Sequence, residues 1–229
     1  MFNVTRSEPA PKSIVNGTNN HNQPDILEAL KTMFHSKCYI CEIKDPTAVA
    51  VEHFDATNTN RTDWDNLYYA CHRCNSNFKN QYYNNLIDPA DPTMDVSRAI
   101  RHKFPITPNS DVEISINNAL AATPSLLETA ELIDKVFNDA STGNRKVSRE
   151  ALRKKLFSVL KKVLKQIFIY TDEDSLPAEK DDARERIIHF LRVEQEFSAF
   201  VRWLVLEDET LKAQFEQFIS DEVTHSDYV

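Results

Sequence analysis

Four cysteines in two Cys-x2-Cys pairs are the residues whose spacing points most directly to chemistry: Cys38, Cys41, Cys71 and Cys74. We call them the cysteine clamp; they are all the cysteines of the chain. Four thiolates in this pattern predict a closed tetrahedral zinc site, which stabilises structure because it leaves no open coordination position. The competing interpretation is four buried structural thiols without a metal.

An acid, an imidazole and an amide accompany the clamp. Glu52 and His53 lie between the two pairs, and Asn75 follows the second pair. The oxygen donors of Glu52 and Asn75 suit Mg²⁺ or Mn²⁺ rather than zinc. An imidazole beside such an ion can deprotonate a water molecule that attacks phosphorus. The pattern therefore predicts a catalytic metal held by Glu52 and Asn75, with His53 as general base in phosphodiester hydrolysis.

A β-hairpin is the element expected to position these groups. The two cysteine pairs are 29 residues apart, which exceeds the roughly 15–20 residues of a simple zinc ribbon. A first strand over 48–51 is predicted to end at His53, and residues 64–70 are predicted to lead back to the second pair. A short helix over 75–82 follows and returns the chain towards the hairpin.

Helices are predicted on both sides of the hairpin. Residues 1–24 are rich in Pro, Asn, Ser and Thr and favour an irregular or loosely docked lead, after which Pro24 opens a short helix. Residues 112–116 are expected to be extended, and Ser125 with Glu128 has the spacing of a capping box. The helices expected beyond them, consistent with only two glycines in the chain, are at about 147–170, 178–206 and 208–222.

The charge is divided unevenly along the chain. The net charge is −8, but from Thr171 onwards there are 16 Asp and Glu against 6 Lys and Arg, whereas 145–165 has nine Lys and Arg against Glu150 alone. The basic helix predicts sequence-independent binding to a phosphate backbone or, equally, pairing with the acidic C-terminal helices. The acidic half is expected to face a protein partner or solvent.

Seven basic side chains are predicted as phosphate contacts. Three lie near the clamp and four lie on the basic helix: His72, Arg73 and Lys79, and Arg153, Lys154, Lys161 and Lys165. For the three near the clamp, ordinary solvated surface positions are the alternative.

Composition favours an ordinary soluble protein. The 229 residues are 41% hydrophobic and 27% charged, and no apolar stretch has the length of a signal peptide or the roughly 18 residues of a membrane span. We therefore expect a cytoplasmic location without membrane partners, where paired cysteines bind metal rather than form disulfides.

The segments KCYICE, VEHF and DWDNLYYACHRCNSNFK together resemble the four-cysteine HNH (ββα-metal) endonucleases. The resemblance covers residues 38–79. It implies that His53 is the general base, Glu52 the metal-binding acid (usually Asp in the family), Asn66 the amide that orients the hairpin and the base, and Asn75 the second metal ligand.

A narrower likeness extends further along the chain. VEHF, DWDNL, ACHRCNSN, DPADP and the helical FSAFVRW are similar to the HNH subunit (PtuB) of Septu and Septu-carrying retron anti-phage systems. That likeness implies a defence nuclease in a hetero-oligomer with an ABC-type ATPase subunit (PtuA-like). DNA is the favoured substrate, and the alternatives are RNA, perhaps tRNA, or an inactive zinc-stabilised adaptor that binds nucleic acid or protein.

The predicted fold class is therefore α+β and mostly α, with a small ββα-metal HNH core and its four-Cys zinc clamp followed by a larger α-helical region. The predicted divisions are an N-terminal lead and helix over 1–35, the nuclease core over 36–95 and the helical region over 96–229. The last contains the basic helix at about 147–170 and acidic helices at about 178–222.

Overall fold

The computed structural model describes residues 1–80 and 82–219. Over these residues the chain is mostly helical with a few short antiparallel strands, as predicted. The α-helices are α1 (Lys12–Val15), α2 (Pro24–Met33), α3 (Val96–Ala99), α4 (Pro124–Asn138), α5 (Gly143–Thr171), α6 (Pro177–Leu191), α7 (Ser198–Leu206) and α8 (Glu209–Phe215). The strands are β1 (Val49–His53), β2 (Leu67–Cys71), β3 (Ile100–Lys103) and β4 (Glu113–Ile116).

β1 and β2 form a hairpin between the two cysteine pairs. They pair antiparallel, with Val49 opposite Cys71 and His53 opposite Leu67. All of β2 is buried, whereas β1 is exposed at Val49 and buried at His53. The end of the hairpin that carries His53 therefore lies in the protein interior. A π-helix, Arg73–Lys79, begins two residues after β2 and replaces the short helix predicted over 75–82.

The N-terminal lead is firmly docked, which corrects the expectation of a loosely docked segment. Met1 and Phe2 are each 1% exposed and belong to the hydrophobic core. The terminal ammonium lies 3.0 Å from Glu42 Oε1, and Arg6 donates a hydrogen bond of 2.8 Å to the Leu67 carbonyl. Two apolar residues ahead of a polar stretch form no periodic pattern, so the sequence did not indicate this docking.

The long basic helix is α5, which packs along α6. Its buried residues lie at helical spacing and include Leu152, Leu156, Leu160 and Val163. The helix begins four residues earlier than predicted because Thr142 caps it, accepting a hydrogen bond from the Arg145 amide. A side-chain cap of this kind satisfies an amide that the first turn leaves without a helical partner.

The predicted continuous helix over 178–206 is wrong. Two helices, α6 and α7, occupy this range, and residues 192–197 separate them. In this segment the carbonyls of Glu194 and Gln195 accept hydrogen bonds from Lys44 and Lys37, and Phe197 has a φ of 57°. Contacts with the clamp region thus override a local sequence that favours helix.

The predicted capping box at Ser125 is also wrong. The cap of α4 is Thr123, whose hydroxyl accepts a hydrogen bond from the Leu126 amide, with Pro124 at the first helical position. At the C-terminal end, α8 and a 3₁₀ turn over Glu216–Phe218 occupy most of the helix predicted at 208–222. Residues 220–222 of that prediction lie outside the described residues.

One hydrophobic core joins residues from all three predicted divisions, including Phe2, Tyr68 and Phe200. The division at residues 35 and 95 stays a prediction about the sequence. Among the helices described, none is both long enough and apolar enough to cross a membrane.

Candidate metal and catalytic centre

The cysteine clamp closes into one cluster. All four side chains are buried and free of disulfides, and their sulfur atoms lie within 4.8 Å of one another. The sulfurs of Cys41 and Cys71 are 3.9 Å apart, close to the roughly 3.8 Å edge of a tetrahedron with Zn–S bonds of about 2.3 Å. The cluster can hold a metal ion and is compatible with structural zinc.

Asn66 fixes the backbone directly after β1. Its Oδ1 accepts a hydrogen bond of 2.7 Å from the Asp55 amide, and its Nδ2 donates one of 3.0 Å to the Asp55 carbonyl. The Asn66 carbonyl also accepts from the Phe54 amide at 3.0 Å. A single buried amide therefore holds the two residues that follow His53. These are the contacts that a hairpin-orienting residue needs.

Glu52 is buried beside a single cation. Its Oε1 lies 2.8 Å from Lys79 Nζ, and that ammonium also donates to the carbonyls of His53 and Phe54 at 3.1 and 2.8 Å. The second carboxylate oxygen, Oε2, is buried and has no hydrogen-bond partner. Burial raises the pKa of Glu52, and the charge of Lys79 offsets only part of that rise. An unpartnered buried carboxylate oxygen is costly unless a cation or donor satisfies it.

His53 ends β1 with its ring held at one nitrogen. Its Nε2 forms a hydrogen bond of 3.0 Å with the Arg61 carbonyl, so Nε2 carries the ring proton and Nδ1 is the basic nitrogen. Among the residues described, Nδ1 has no partner. Burial, the largest effect, lowers the pKa of His53; the charges of Arg61 and Lys79 also lower it, and the hydrogen bond to Arg61 partly opposes them. His53 is 8% exposed, and these effects favour the neutral form of its ring.

Asn75 lies on the π-helix and is half-buried. Its carbonyl accepts a hydrogen bond of 2.8 Å from the Asn80 amide. Its side-chain amide forms no hydrogen bond with any of the residues described, so its oxygen is available to a ligand.

The predicted site residues fall into two groups. Successive side chains of a strand point to opposite faces, and accordingly Glu52 contacts Lys79 whereas His53 contacts Arg61 and His21. In the part of the chain that the structure describes, no side-chain hydrogen bond joins Glu52, His53 and Asn75 directly. The π-helix links them indirectly, because Lys79 bonds both the Glu52 side chain and the His53 carbonyl.

Two predicted phosphate contacts are wrong because their side chains are buried. Lys79 has an exposure of 0% and is held by Glu52 and two carbonyls. Arg153 has an exposure of 2% and donates to the Phe137 carbonyl and to the side chains of Asp111 and Asn138. Both cations serve internal bonds and are not offered to a ligand at the surface.

The other predicted contacts are accessible to different degrees. The Arg73 guanidinium is partly buried and donates to Ser148 and to the Val136 carbonyl. His72 is exposed, and with Arg73 it lines a cavity of about 450 Å³ between the clamp and α5. Three lysines of α5 are exposed and have no ion pair within the described residues: Lys154, Lys161 and Lys165.

The ion pairs of the basic helix α5 show how far it pairs with the acidic C-terminal region. They join Arg145 to Asp139, Arg153 to Asp111 and, at 4.0 Å, Lys155 to Glu196. The ion pairs of α6 stay within that helix. Within the described residues, pairing of α5 with the acidic C-terminal region is therefore limited to the Lys155–Glu196 pair.

The sequence did not identify two residues of this centre. No motif or spacing in the sequence singles out His21, yet its ring centroid lies 4.7 Å from that of His53. Lys79 is predicted as a phosphate contact, yet it is the partner of Glu52. Lys79 comes four residues after Asn75 on a helix expected to face the hairpin. This position could have indicated that Lys79 points towards Glu52. His21 lies 32 residues from His53, and no sequence signal pointed to it.

The four buried thiols fit the predicted structural zinc. The unpartnered oxygen of Glu52 and the amide oxygen of Asn75 are donor types that Mg²⁺ or Mn²⁺ accepts, and a site built from them stays a prediction. Comparison of the chain with protein-family models, curated proteins and solved structures finds no match.

Proposed function

We propose that this protein is a metal-dependent HNH-type endonuclease that hydrolyses phosphodiester bonds, with DNA as the favoured substrate. The observation that carries the proposal is the state of His53. Its Nε2 is fixed by the Arg61 carbonyl, and its Nδ1 is unpartnered at the end of a strand beside a cysteine clamp. An oriented, neutral imidazole of this kind is suited to remove a proton from water.

Different residues of the chain have different roles in the proposed hydrolysis. His53 Nδ1 accepts the proton of the attacking water, and Asn66 holds the backbone that sets the ring in place. Glu52 and Asn75 would hold the divalent cation, which when bound stabilises negative charge on the phosphate and the leaving oxygen. The clamp keeps β1, β2 and the π-helix together, so that these groups stay in one region of the fold.

Exposed lysines on α5 support binding to a nucleic-acid backbone. Lys154, Lys161 and Lys165 recur at spacings of seven and four residues, so they lie on one side of the helix. Lys162 is exposed close to this side. Unpaired cations in a row bind phosphates without reading sequence, and such binding weakens as salt rises.

We further propose that the nuclease acts in anti-phage defence with an ABC-type ATPase partner. This proposal rests on the sequence resemblance to the Septu nuclease subunit and on the excess of 16 Asp and Glu over 6 Lys and Arg from Thr171 onwards, which would repel nucleic acid and suits a protein partner instead. A nuclease without strict sequence preference endangers its host, which gives a physical reason for control by a partner.

The direct test is cleavage by the purified chain, alone and with the ATPase, in Mg²⁺ or Mn²⁺, against plasmid DNA and RNA. We expect cleavage by the parent and none by His53→Ala, with thermal stability and bound zinc measured for both. His189→Ala, on α6, is the matched control and should cleave normally. Cleavage by His53→Ala at the parental rate, or no cleavage in any arm, contradicts the proposal. RNA products that carry a 5′-phosphate would indicate that the same hydrolysis acts on RNA.

A zinc-stabilised binding module without activity is the second candidate. The Glu52–Lys79 pair favours it, because Lys79 already occupies one oxygen of the predicted metal ligand. Metal analysis separates the two candidates. Tightly held zinc with a second, chelator-labile divalent site supports the enzyme, whereas zinc alone supports the binding module.

A further inference from the structure

His21 lies against the proposed general base, although it comes from the N-terminal lead and not from the hairpin. The ring centroids of His21 and His53 are 4.7 Å apart, and the ring planes meet at 79°. An edge-to-face contact of this kind is a preferred geometry for two aromatic rings. His21 is half-buried, so part of its ring stays open to solvent.

The proton of the His21 ring is directed by its neighbour. The Asn22 side chain lies 3.3 Å from His21 Nε2 through its Nδ2, and an amide nitrogen can only donate. Nε2 is therefore the acceptor and Nδ1 carries the proton. Among the residues described, Nδ1–H has no acceptor, so it is available to a ligand.

Arg61 adds a permanent positive charge beside both rings. Its carbonyl accepts the hydrogen bond from His53 Nε2, while its side chain is exposed and forms no ion pair within the described residues. Burial first, then the charges of His53 and Arg61, lower the pKa of His21. The permanent charge of Arg61 attracts an anion, and the neutral His21 ring can donate a hydrogen bond to it.

The carboxylates of the same loop are engaged elsewhere. Asp55 Oδ1 accepts hydrogen bonds from the amide and hydroxyl of Thr57. The Asp63 carboxylate accepts from the Asn58 side chain and the Asp65 amide. Neither of these two acids is bonded to Arg61 or to the rings, so neither serves as a counter-ion to Arg61.

We propose that His21, His53 and the Arg61 side chain, here called the imidazole cluster, bind the phosphodiester group of a polynucleotide. The identity of this anion rests on the proposed function. His21 Nδ1–H and the Arg61 guanidinium donate to the non-bridging phosphate oxygens, and His53 Nδ1 stays free to accept a proton from water. The N-terminal lead thereby supplies one side of a site that the hairpin does not complete by itself.

The first test measures DNA binding under conditions in which no cleavage occurs. A fluorescein-labelled 16-base-pair DNA duplex is titrated at several salt concentrations without added divalent ions. We expect Arg61→Ala to weaken binding roughly tenfold and to lower the salt slope by about one. His21→Ala and His21→Phe should both weaken binding severalfold, because the phenyl ring preserves the packing but has no donor. Parental affinity in Arg61→Ala and His21→Phe overturns the proposal, as does a parent that does not bind DNA.

A matched control keeps folding separate from binding. Arg186→Ala removes an exposed arginine on α6 and should bind the duplex far better than Arg61→Ala. Thermal stability and zinc content are measured for every variant. If Arg186→Ala loses as much affinity as Arg61→Ala, binding is diffuse over the surface and the proposed cluster is wrong.

Cleavage separates this inference from the proposed function. In Mg²⁺ or Mn²⁺, His21→Phe and Arg61→Ala should raise KM more than they lower kcat, because they remove phosphate contacts and keep the base. Normal cleavage by both variants overturns the cluster and leaves the nuclease proposal intact. Loss of DNA binding in these variants, with no cleavage by the parent in any metal, supports the cluster and contradicts the nuclease.

Discussion

Two buried glutamates beside the cysteine clamp, Glu42 and Glu52, have similar burial but opposite surroundings. Glu42 directly follows Cys41 and is 2% exposed, and Glu52 on β1 is 3% exposed. Each has a lysine that is itself 0% exposed: Lys37 lies 3.2 Å from Glu42, and Lys79 lies 2.8 Å from Glu52. The difference lies in what else each carboxylate meets.

Each carboxylate oxygen of Glu42 faces a cation. Its Oε2 meets Lys37 and accepts hydrogen bonds from the Ser198 hydroxyl and the Ala199 amide at 3.0 and 3.1 Å, while Oε1 faces the terminal ammonium of Met1 at 3.0 Å. Burial by itself raises the pKa of Glu42, but the charges of Lys37 and the ammonium outweigh it and hold that pKa well below its usual range. This carboxylate fastens the N-terminal lead, the clamp and α7 together.

Among the residues described, Glu52 has one cation partner, Lys79, and its Oε2 has no hydrogen-bond partner. Its pKa is raised, because the single cation does not balance the effect of burial. A carboxylate with two cations stabilises the fold, whereas one with a single cation is left short of positive charge. The contrast teaches that Glu42 is a structural residue, whereas Glu52 has a buried oxygen that a further cation could satisfy.

Loss of the clamp should have the largest effect, because both glutamates depend on it. Cys74→Ser removes one of four thiolates, and structural zinc contributes on the order of 10 kcal/mol to the folding of such sites. We expect loss of bound metal and a large fall in thermal stability, measured by metal analysis and calorimetry. Ser76→Ala, exposed on the same π-helix, is the control. Unchanged stability in Cys74→Ser would show that the thiols need no metal.

Glu42→Gln should come next in size. The substitution keeps the shape of the side chain but leaves Lys37 and the terminal ammonium buried without a counter-charge. Removal of one partner from a buried pair typically costs about 3–5 kcal/mol. Chemical denaturation measures the free energy of unfolding, with the exposed Glu131→Gln as control. A cost below about 1 kcal/mol would remove the structural role that the comparison gives to Glu42.

Glu52→Gln should cost less stability than Glu42→Gln, since the ionised form of Glu52 is already penalised by burial and Lys79 keeps two carbonyl acceptors. We expect the zinc to stay bound and the chelator-labile Mn²⁺ site to disappear, which metal analysis after dialysis measures. Cleavage should be lost with it. If Mn²⁺ binds Glu52→Gln as it binds the parent, Glu52 is not a metal ligand, and the functional difference proposed between Glu42 and Glu52 is wrong.

His102 should give an effect that is seen as a dependence on pH. Burial, followed by the charge of the terminal ammonium, lowers the pKa of His102 to about 3, and its Nδ1 donates to the Ile100 carbonyl at 2.8 Å. Between about pH 6.5 and 3 the unfolded chain binds a proton at this residue that the folded chain does not. Stability should therefore fall with falling pH by about 1.4 kcal/mol for each pH unit from this residue.

The measurement for His102 is a set of unfolding curves from pH 4 to 7. We compare the free energy of unfolding of the parent with that of His102→Gln. The parent should gain stability relative to the variant as the pH rises across this window. His189→Gln, whose ring is only partly buried, is the control. A difference that does not vary with pH is evidence that His102 does not keep its neutral form in the fold.

Much of the local structure was predictable from the sequence. The hairpin, the short helix after the second cysteine pair and the long basic helix follow from cysteine spacing and from apolar residues at helical spacing. The break between α6 and α7 was not predictable, because it depends on lysines 150 or more residues away that bond its carbonyls. The firm docking of the N-terminal lead was not predictable for the same reason, because the terminal ammonium of Met1 pairs with the distant Glu42.

The sequence by itself determined the four thiols, whose paired spacing closes into one cluster, and it supplied the prediction of a site at Glu52, His53, Asn66 and Asn75. Only the tertiary structure decided which charges are free. It buried Lys79 and Arg153, exposed the lysines of α5, and brought His21 to His53. The physical reason is that covalent spacing limits local geometry, whereas burial and partnership of a charge depend on what packs against it from elsewhere in the chain.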